Sequence, residues 1–234
     1  MRTFLIGIFI GISLAATSQD HGVETARSSL PAADFASLEP FVKGLAMSNR
    51  EVTVYRVRVA ALPTHTYANP VIIVWTREGV VTERKESEAL ITRPISVGQI
   101  DVYPSGTTHS LRAVKGSMHF TLIELKQPLR DAKEMPSKPA GCERAVDFPR
   151  GGFACLIELA PNQEVTIPEL DVNSFLIAIG SGKQRFTIPR NRWETQTREG
   201  GPSYLPGYEE HRVQNLERRA SQSVLIVPPP AEYN

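Results

Sequence analysis

The chain has 234 residues, of which 26 are Lys or Arg and 25 are Asp or Glu, so its net charge is +1. Because it has neither a basic block nor a basic stripe interleaved with aromatic residues, we set aside nucleic-acid binding. The length suits one large domain or two small domains with substantial cores.

Residues 1–18 have the three-part pattern of a secretory signal peptide. Met1 and Arg2 give a positive start, residues 4–16 form an apolar run, and small residues close the segment. The run is shorter than the roughly 20 apolar residues that span a bilayer, so a cleaved signal is favoured over an uncleaved membrane anchor. We therefore expect a secreted or periplasmic protein with no membrane span after cleavage.

Residues 19–49 are assigned to a polar leader followed by a short helix. Between Ala33 and Met47 the apolar residues recur at intervals of three and four, which is the spacing of one helical face. Asp34 is a suitable N-cap near the start of this segment. The spacing predicts a helix that packs on the outside of the first β domain.

From Val52 the hydrophobic period changes to two, which is typical of β-strands. The β-branched run at 71–75 predicts a buried strand, and further short strands follow it. A segment rich in proline and charge, 127–151, is assigned to a linker. A second series of strands begins at Phe153, and residues 229–234 form a tail. Many short strands separated by Gly/Pro turns predict an all-β chain of antiparallel sandwiches or barrels.

The two cysteines, Cys142 and Cys155, flank a Gly/Pro-rich stretch at 148–152 that can bend to bring them together. Export would permit a disulfide between them. The alternative is two free thiols, with Cys155 buried in a strand. A zinc site is disfavoured because no Cys-x2-Cys pair or nearby histidine pair accompanies them.

A glycine, proline and histidine pattern occurs twice in the chain. The matching residues are Gly98, Pro104, Gly106 and His109 in the first copy and Gly200, Pro206, Gly207 and His211 in the second. The proline-to-histidine interval is five in both copies. Each copy lies between segments with strand periodicity. Recurrence of this kind indicates a tandem duplication.

The two repeats resemble the cupin superfamily, and specifically a two-domain bicupin. The family's second motif reads Gly-x5-Pro-x-Gly-x2-His-x3-Asn. The first repeat matches through the histidine but has Ala113 at the last position, whereas the second has Asn215 there with its internal glycine displaced by one. The resemblance covers about residues 50–126 and 152–228. It implies two tandem jelly-roll barrels.

The resemblance also implies where a divalent metal would be bound, because cupins hold one with three histidines and a glutamate inside the barrel. The family's first motif, His-x-His-x3-4-Glu-x6-Gly, is incomplete here, since Ile72 and Phe175 fall at the glutamate positions. The candidate ligands are His65 and His109 in the first repeat, with Tyr67 as a weaker one, and Glu169, Asp171 and His211 in the second. Such ligands suit iron, manganese or zinc. The alternative is hydrogen-bonded histidines and solvent-exposed acids.

Three functions stay open. The favoured one is a secreted bicupin-like protein that binds a small molecule, and a divalent metal weakly, in its barrels, since barrel mouths are common ligand sites. The second is a metal-dependent bicupin enzyme, such as an oxygenase or isomerase, that uses His65 and His109. The third is a structural or self-associating β module, because cupins often form homodimers. The sequence has no nucleophile elbow and no phosphate-binding glycine loop, so no catalytic residue is assigned.

Overall fold

The computed structural model describes residues 33–34, 44–49, 51–86, 88–126, 135–189 and 191–230. The regular structure in these residues is β throughout. Within the same ranges, no helix is long and apolar enough to cross a membrane. The expected signal peptide, 1–18, lies outside the described residues.

Residues 33–47, for which the spacing predicts a helix, contain two strands at their ends. These are Ala33–Asp34 (β1) and Leu45–Ser48 (β2), and residues 35–43 between them lie outside the described residues. The prediction is wrong where the chain is described, because β2 pairs with Val52–Val59 (β3). Pairing between strands satisfies the hydrogen-bond donors and acceptors of the main chain. The spacing of apolar residues does not show which segments pair.

The first half of the chain forms two sheets that enclose an apolar core. Its further strands are β4 (Ala61–Thr66), β5 (Val71–Trp75), β6 (Gly79–Lys85), β7 (Ile91–Ile95), β8 (Ile100–Tyr103), β9 (Thr108–Ala113) and β10 (Met118–Leu125). One sheet has the order β1-β4-β9-β6-β7 and the other β2-β3-β10-β5-β8. The pairings are antiparallel except for the short β1–β4 contact.

The second half repeats this arrangement. Its strands are β11 (Cys142–Asp147), β12 (Phe153–Leu159), β13 (Glu164–Ile167), β14 (Ser174–Ala178), β15 (Gly182–Ile188), β16 (Asn191–Thr197), β17 (Pro202–Leu205), β18 (His211–Asn215) and β19 (Ser221–Val227). The sheet orders are β11-β12-β19-β14-β17 and β13-β18-β15-β16. Apart from edge strands, each order matches one in the first half. The fold is therefore two similar β-barrels in tandem, as the repeated motif predicts.

Buried apolar residues form a core in each barrel and a third core between the barrels. Strand β5 shows how one strand supplies two of them. Val71, Ile73 and Trp75 belong to the first-barrel core, whereas Ile72 and Val74 belong to the core between the barrels. Successive side chains of a strand point to opposite faces, so a strand buried on both faces reads as the continuous apolar run seen in the sequence.

The core between the barrels is called the interface core below. It consists of Val52, Val54, Ile72, Val74, Ile123, Leu125, Phe148, Ala154, Leu156, Phe175, Ile177, Ile179, Val224 and Ile226. Apart from Phe148 and Ile179, which directly follow β11 and β14, these residues come from one sheet of each barrel, so the two sheets pack face to face. The interface core joins the barrels into one compact unit that begins at residue 32.

A disulfide joins Cys142 to Cys155, which confirms the bridge considered from the sequence. Cys142 begins β11 and Cys155 lies in β12, and these two strands pair directly. Strand β11 falls inside the segment 127–151 that the composition assigned to a linker. The bridge therefore fastens an edge strand to the second barrel.

Candidate functional site

A cluster of buried polar side chains lies inside the first barrel. It consists of His65, Tyr67, Glu83, Tyr103 and His109, each with between 0% and 5% of its surface exposed. Strand register explains part of this arrangement, because β4 and β9 pair with His65 directly opposite His109. Their ring centroids are 4.7 Å apart. We call these five residues the first-barrel polar cluster.

Glu83 and His109 form the centre of this cluster. Nδ1 of His109 lies 3.2 Å from Oε1 of Glu83, and Nε2 lies 3.0 Å from the Tyr67 hydroxyl. A carboxylate only accepts, so Nδ1–H donates to Glu83, and in the neutral imidazole the unprotonated Nε2 then accepts from the Tyr67 O–H. The Tyr103 hydroxyl also donates to Oε1 of Glu83, at 3.0 Å. The result is a continuous hydrogen-bonded chain through four buried side chains.

A second layer of hydrogen bonds connects the cluster to two partly exposed side chains, Arg93 and Asp101. Nε of Arg93 donates to Oε2 of Glu83 at 3.0 Å, and Nη2 of Arg93 donates to Oδ2 of Asp101 at 2.6 Å. Asp101 also accepts from Nε1 of Trp75 at 2.7 Å and from the amide of Gln99 at 3.1 Å. Arg93 is thus held between two carboxylates, and the buried charge of Glu83 is paired.

Burial and hydrogen bonding together set the protonation states in this cluster. Burial lowers the pKa of His65 from 6.5 to about 4, which the hydrogen bond to Pro63 opposes and His109 reinforces. Burial also raises the pKa of Glu83, but bonds from His109 and Tyr103 and the charge of Arg93 outweigh it and hold that pKa at about 2. At neutral pH His65 is therefore uncharged and Glu83 is ionised.

The two tyrosines of the cluster remain protonated. Burial, followed by the charge of Glu83, raises the pKa of Tyr67 well above its ordinary value. Burial, followed by the charges of Asp101 and Glu83, raises the pKa of Tyr103 in the same direction. Both hydroxyls therefore serve as hydrogen-bond donors, and neither serves as an anionic ligand.

These residues do not fit the metal site that the cupin resemblance implies. Both ring nitrogens of His109 and both oxygens of Glu83 already take part in hydrogen bonds. Nδ1 of His65 donates to the carbonyl of Pro63 at 2.7 Å, and the Tyr67 ring lies against both imidazoles, with centroids 4.8 Å and 5.1 Å away. Among the described residues, no group of three or more His, Cys, Asp or Glu is placed to hold a metal.

The second set of candidate ligands is not brought together either. Glu169 and Asp171 are exposed, whereas His211 is 2% exposed. Nε2–H of His211 donates to the carbonyl of Pro206 at 2.8 Å. The two acids therefore match the alternative considered from the sequence, in which both lie on a solvated loop. His211 is fixed by a main-chain contact within its own motif.

Ile72 and Phe175, placed at the glutamate positions by counting along the motif, point out of their barrels. Both belong to the interface core. In β5 the residues that face the first-barrel core are Val71, Ile73 and Trp75, which are also apolar. The counting is wrong because it fixes the distance along the chain but not the face that each strand residue takes.

No sequence motif identified Glu83, Tyr103 or Arg93 as part of the site. The signal for Glu83 is its spacing from Val81, since both lie on one face of β6 and Val81 is in the first-barrel core. An acid at an inward position predicts a buried partner, because an unpaired buried charge is costly. The partners come from other strands, so the sequence alone does not identify them.

A cleft of about 670 Å³ lies at one end of the barrels, and residues of both halves line it. The first half contributes residues 68–72 and 102–105, and the second half contributes residues 148–150 and Pro229. Its wall is mostly apolar. The charged residues in its lining are Lys126 and Arg150, and both are basic. We call it the apolar cleft. It meets the first-barrel polar cluster at Tyr103, which belongs to both.

Comparison with known proteins identifies relatives in fold but not in sequence. No protein-family model and no curated protein matches the chain. The structure of AerE from Microcystis aeruginosa covers 79% of this chain and 97% of its own, with a TM-score of 0.57 and 11% identity. An oxalate decarboxylase from Lactobacillus farciminis, solved with formate, covers 78% of both chains, with a TM-score of 0.56 and 12% identity. Identities this low establish a shared fold alone.

Proposed function

The chain has the fold of a two-domain cupin, and from this premise we propose that it binds a small acidic molecule with an apolar body in the apolar cleft. The volume of about 670 Å³ is within the usual range of ligand sites. Val102, Phe148 and Pro149 would contact the apolar body. Lys126 and Arg150 would favour an acidic group over a basic one. The cleft itself is the observation that carries the proposal.

A bulky side chain at the rim of the cleft tests this assignment. Ala68 lines the cleft and is exposed, so Ala68→Trp should fill the space with little effect on folding. The matched control is Ala60→Trp, because Ala60 is exposed and does not line the cleft. The probe is 8-anilinonaphthalene-1-sulfonate, which combines apolar rings with a sulfonate, and its fluorescence is titrated with each folded protein.

We expect saturable binding of one probe to the unaltered chain and to Ala60→Trp. Binding to Ala68→Trp should be at least about tenfold weaker, because the ring removes apolar contact area worth more than 1.4 kcal/mol. Equal affinity in all three proteins would show that the probe binds elsewhere. Absence of saturable binding to the unaltered chain would also reject the proposal.

Metal-dependent catalysis through His65 and His109 is the weaker candidate, because both nitrogens of His109 are engaged. We expect no stoichiometric metal in protein purified without an affinity-tag metal, as measured by mass spectrometry of the elements. A stoichiometric metal that is lost in the His109→Ala variant would instead support a metal site in the first barrel.

Export is part of the proposal and is supported by two features. The N-terminal pattern is that of a signal peptide, and the disulfide between Cys142 and Cys155 is typical of oxidising compartments. Expression in a host with an oxidising periplasm should give protein shortened by about 18 residues and carrying no free thiol. Intact-mass measurement with and without reduction checks both points. Full-length, reduced protein in the cytoplasm would contradict the proposal.

A further inference from the structure

A second cleft, of about 390 Å³, lies beside the interface core and has a basic wall. Arg56, Arg58 and Arg77 from the first barrel line it, and Glu199 and Gly200 from the second barrel close it. Its lining shares no residue with the apolar cleft. We call it the basic cleft.

The alternation of β3 places two arginines in this cleft. Val52 and Val54 lie on the face of β3 that forms the interface core. Arg56 and Arg58 follow on the same face, since side chains of a strand alternate, and both line the cleft. The face that is apolar between the barrels thus becomes basic toward one end. An apolar pair at these positions would simply lengthen the interface core.

The second barrel closes the cleft through a loop that approaches β3 closely. Gly200 has φ +71°, and a β-carbon there would lie 2.8 Å from Oγ1 of Thr121 and 3.4 Å from Cγ of Arg56. The Thr121 hydroxyl donates to the carbonyl of Gly200 at 3.0 Å. Thr121 and Arg56 are register partners on neighbouring strands. The hydrogen bond from Thr121 to Gly200 therefore holds the wall of the basic cleft in place. The close approach is possible because Gly200 has no side chain.

Positive charge exceeds negative charge in the cleft. Glu199 accepts two hydrogen bonds from Arg77, at 2.9 Å and 2.8 Å, and a third from Thr76 at 3.2 Å. The negative charge of Glu199 is therefore already balanced by the positive charge of Arg77. Among the described residues, Arg56 and Arg58 form no ion pair. Nε of Arg56 is buried and has no hydrogen-bond acceptor there, which is costly unless a ligand supplies one.

We propose that the basic cleft binds a small molecule through a dianionic phosphate group held by Arg56 and Arg58. Two guanidinium groups that have no carboxylate partner within the described ranges match two negative charges. Each guanidinium offers a planar pair of N–H donors that suits phosphate oxygens. The tetrahedral group has oxygens in several directions, so it accepts from two arginines of one strand at once. A planar carboxylate pairs with only one in this way.

The binding test uses inorganic phosphate and isothermal titration calorimetry on the full chain. Chloride holds the ionic strength constant, and a mildly alkaline buffer keeps phosphate dianionic. Succinate is titrated in parallel as a dianion that carries carboxylates. The variants are Arg56→Gln and Arg58→Gln. The matched control is Arg84→Gln, because Arg84 is an exposed strand arginine of the same barrel that lies outside the cleft.

We expect phosphate to bind the unaltered chain and the Arg84→Gln control with equal affinity. Each of the two cleft variants should bind about tenfold more weakly or worse, since a hydrogen bond to a charged group is lost. Arg58 is exposed, so Arg58→Gln tests the site even if Arg56→Gln does not fold. Failure of phosphate to bind, equal affinity in all variants, or tighter binding of succinate would each overturn the proposal. None of these results depends on whether the apolar cleft binds its own ligand.

Discussion

Acid should destabilise the protein in two successive steps, and the titration of His65 controls the first of them. The folded pKa of His65 is about 4, against 6.5 for an exposed histidine, chiefly because of burial. Between these values the unfolded chain binds a proton that the folded chain does not, so stability falls as the pH is lowered from 6.5 to 4. At about 1.36 kcal/mol for each pKa unit, the loss is about 3 kcal/mol.

The variant His65→Asn isolates this effect. An asparagine amide can still donate to the Pro63 carbonyl, as Nδ1 of His65 does, but it does not titrate. The variant should be less stable than the unaltered chain at neutral pH, and the gap should narrow by about 3 kcal/mol on acidification to pH ~4. The assay is urea unfolding at a series of pH values, followed by the fluorescence of buried Trp75.

Two controls distinguish the titration of His65 from other causes of lost stability. Ile73→Val removes a methyl group from the same core and should cost about 1 kcal/mol at every pH. Glu83 has a folded pKa of about 2 against 4.5, so its contribution is complete above pH 4.5 and is lost only below that value. If the unaltered chain and His65→Asn lose stability in parallel between pH 6.5 and 4.5, the burial of a neutral imidazole is not the cause.

Three further changes have expected outcomes. Replacing Cys142 and Cys155 by Ala opens a loop with a sequence separation of 13 residues and should cost about 3 kcal/mol in urea unfolding; an unchanged midpoint would reject that role. Phe175→Ala removes a fully buried ring from the interface core and should cost about 3–5 kcal/mol, measured by calorimetry. Gly152→Ala places a β-carbon 2.5 Å from the carbonyl oxygen of Val227. In the control Gly116→Ala the β-carbon meets nothing within 4 Å, at a similar positive φ. The melting temperature should therefore fall further for Gly152→Ala than for Gly116→Ala.

Alternation of side chains made the all-β fold predictable from sequence. The apolar run of β5 predicts a buried strand, and all five of its residues are buried. Alternation does not say which face points into a barrel, so Ile72 was assigned to the wrong side. The predicted helix fails at Leu45–Ser48 for another reason, because antiparallel pairing with the next strand, β3, decides the conformation of so short a segment.

The candidate site was predictable only where one sequence motif fixes one position. His109 belongs to the repeated motif, and the family resemblance brings His65 to the same barrel, where the two rings are in contact. The partners of His109 are set by packing between strands that are distant in sequence. Glu83 and Tyr67 satisfy both of its nitrogens, and no spacing rule reports that arrangement. Resemblance located the histidines, but hydrogen bonding decides what they can do.

The interface core has a consequence for how the chain is made. Synthesis runs from the N-terminus, and domains generally fold in that order. The sheet of the first barrel that contains Val54, Ile72 and Ile123 is complete before the strands that cover it have been translated. Until those strands are in place, this apolar surface is exposed to water. Such exposure favours association between nascent copies. A purified chain that stops before β12 should therefore associate with itself or bind a holdase chaperone, whereas a chain that extends through β19, the last strand of the covering sheet, should do neither.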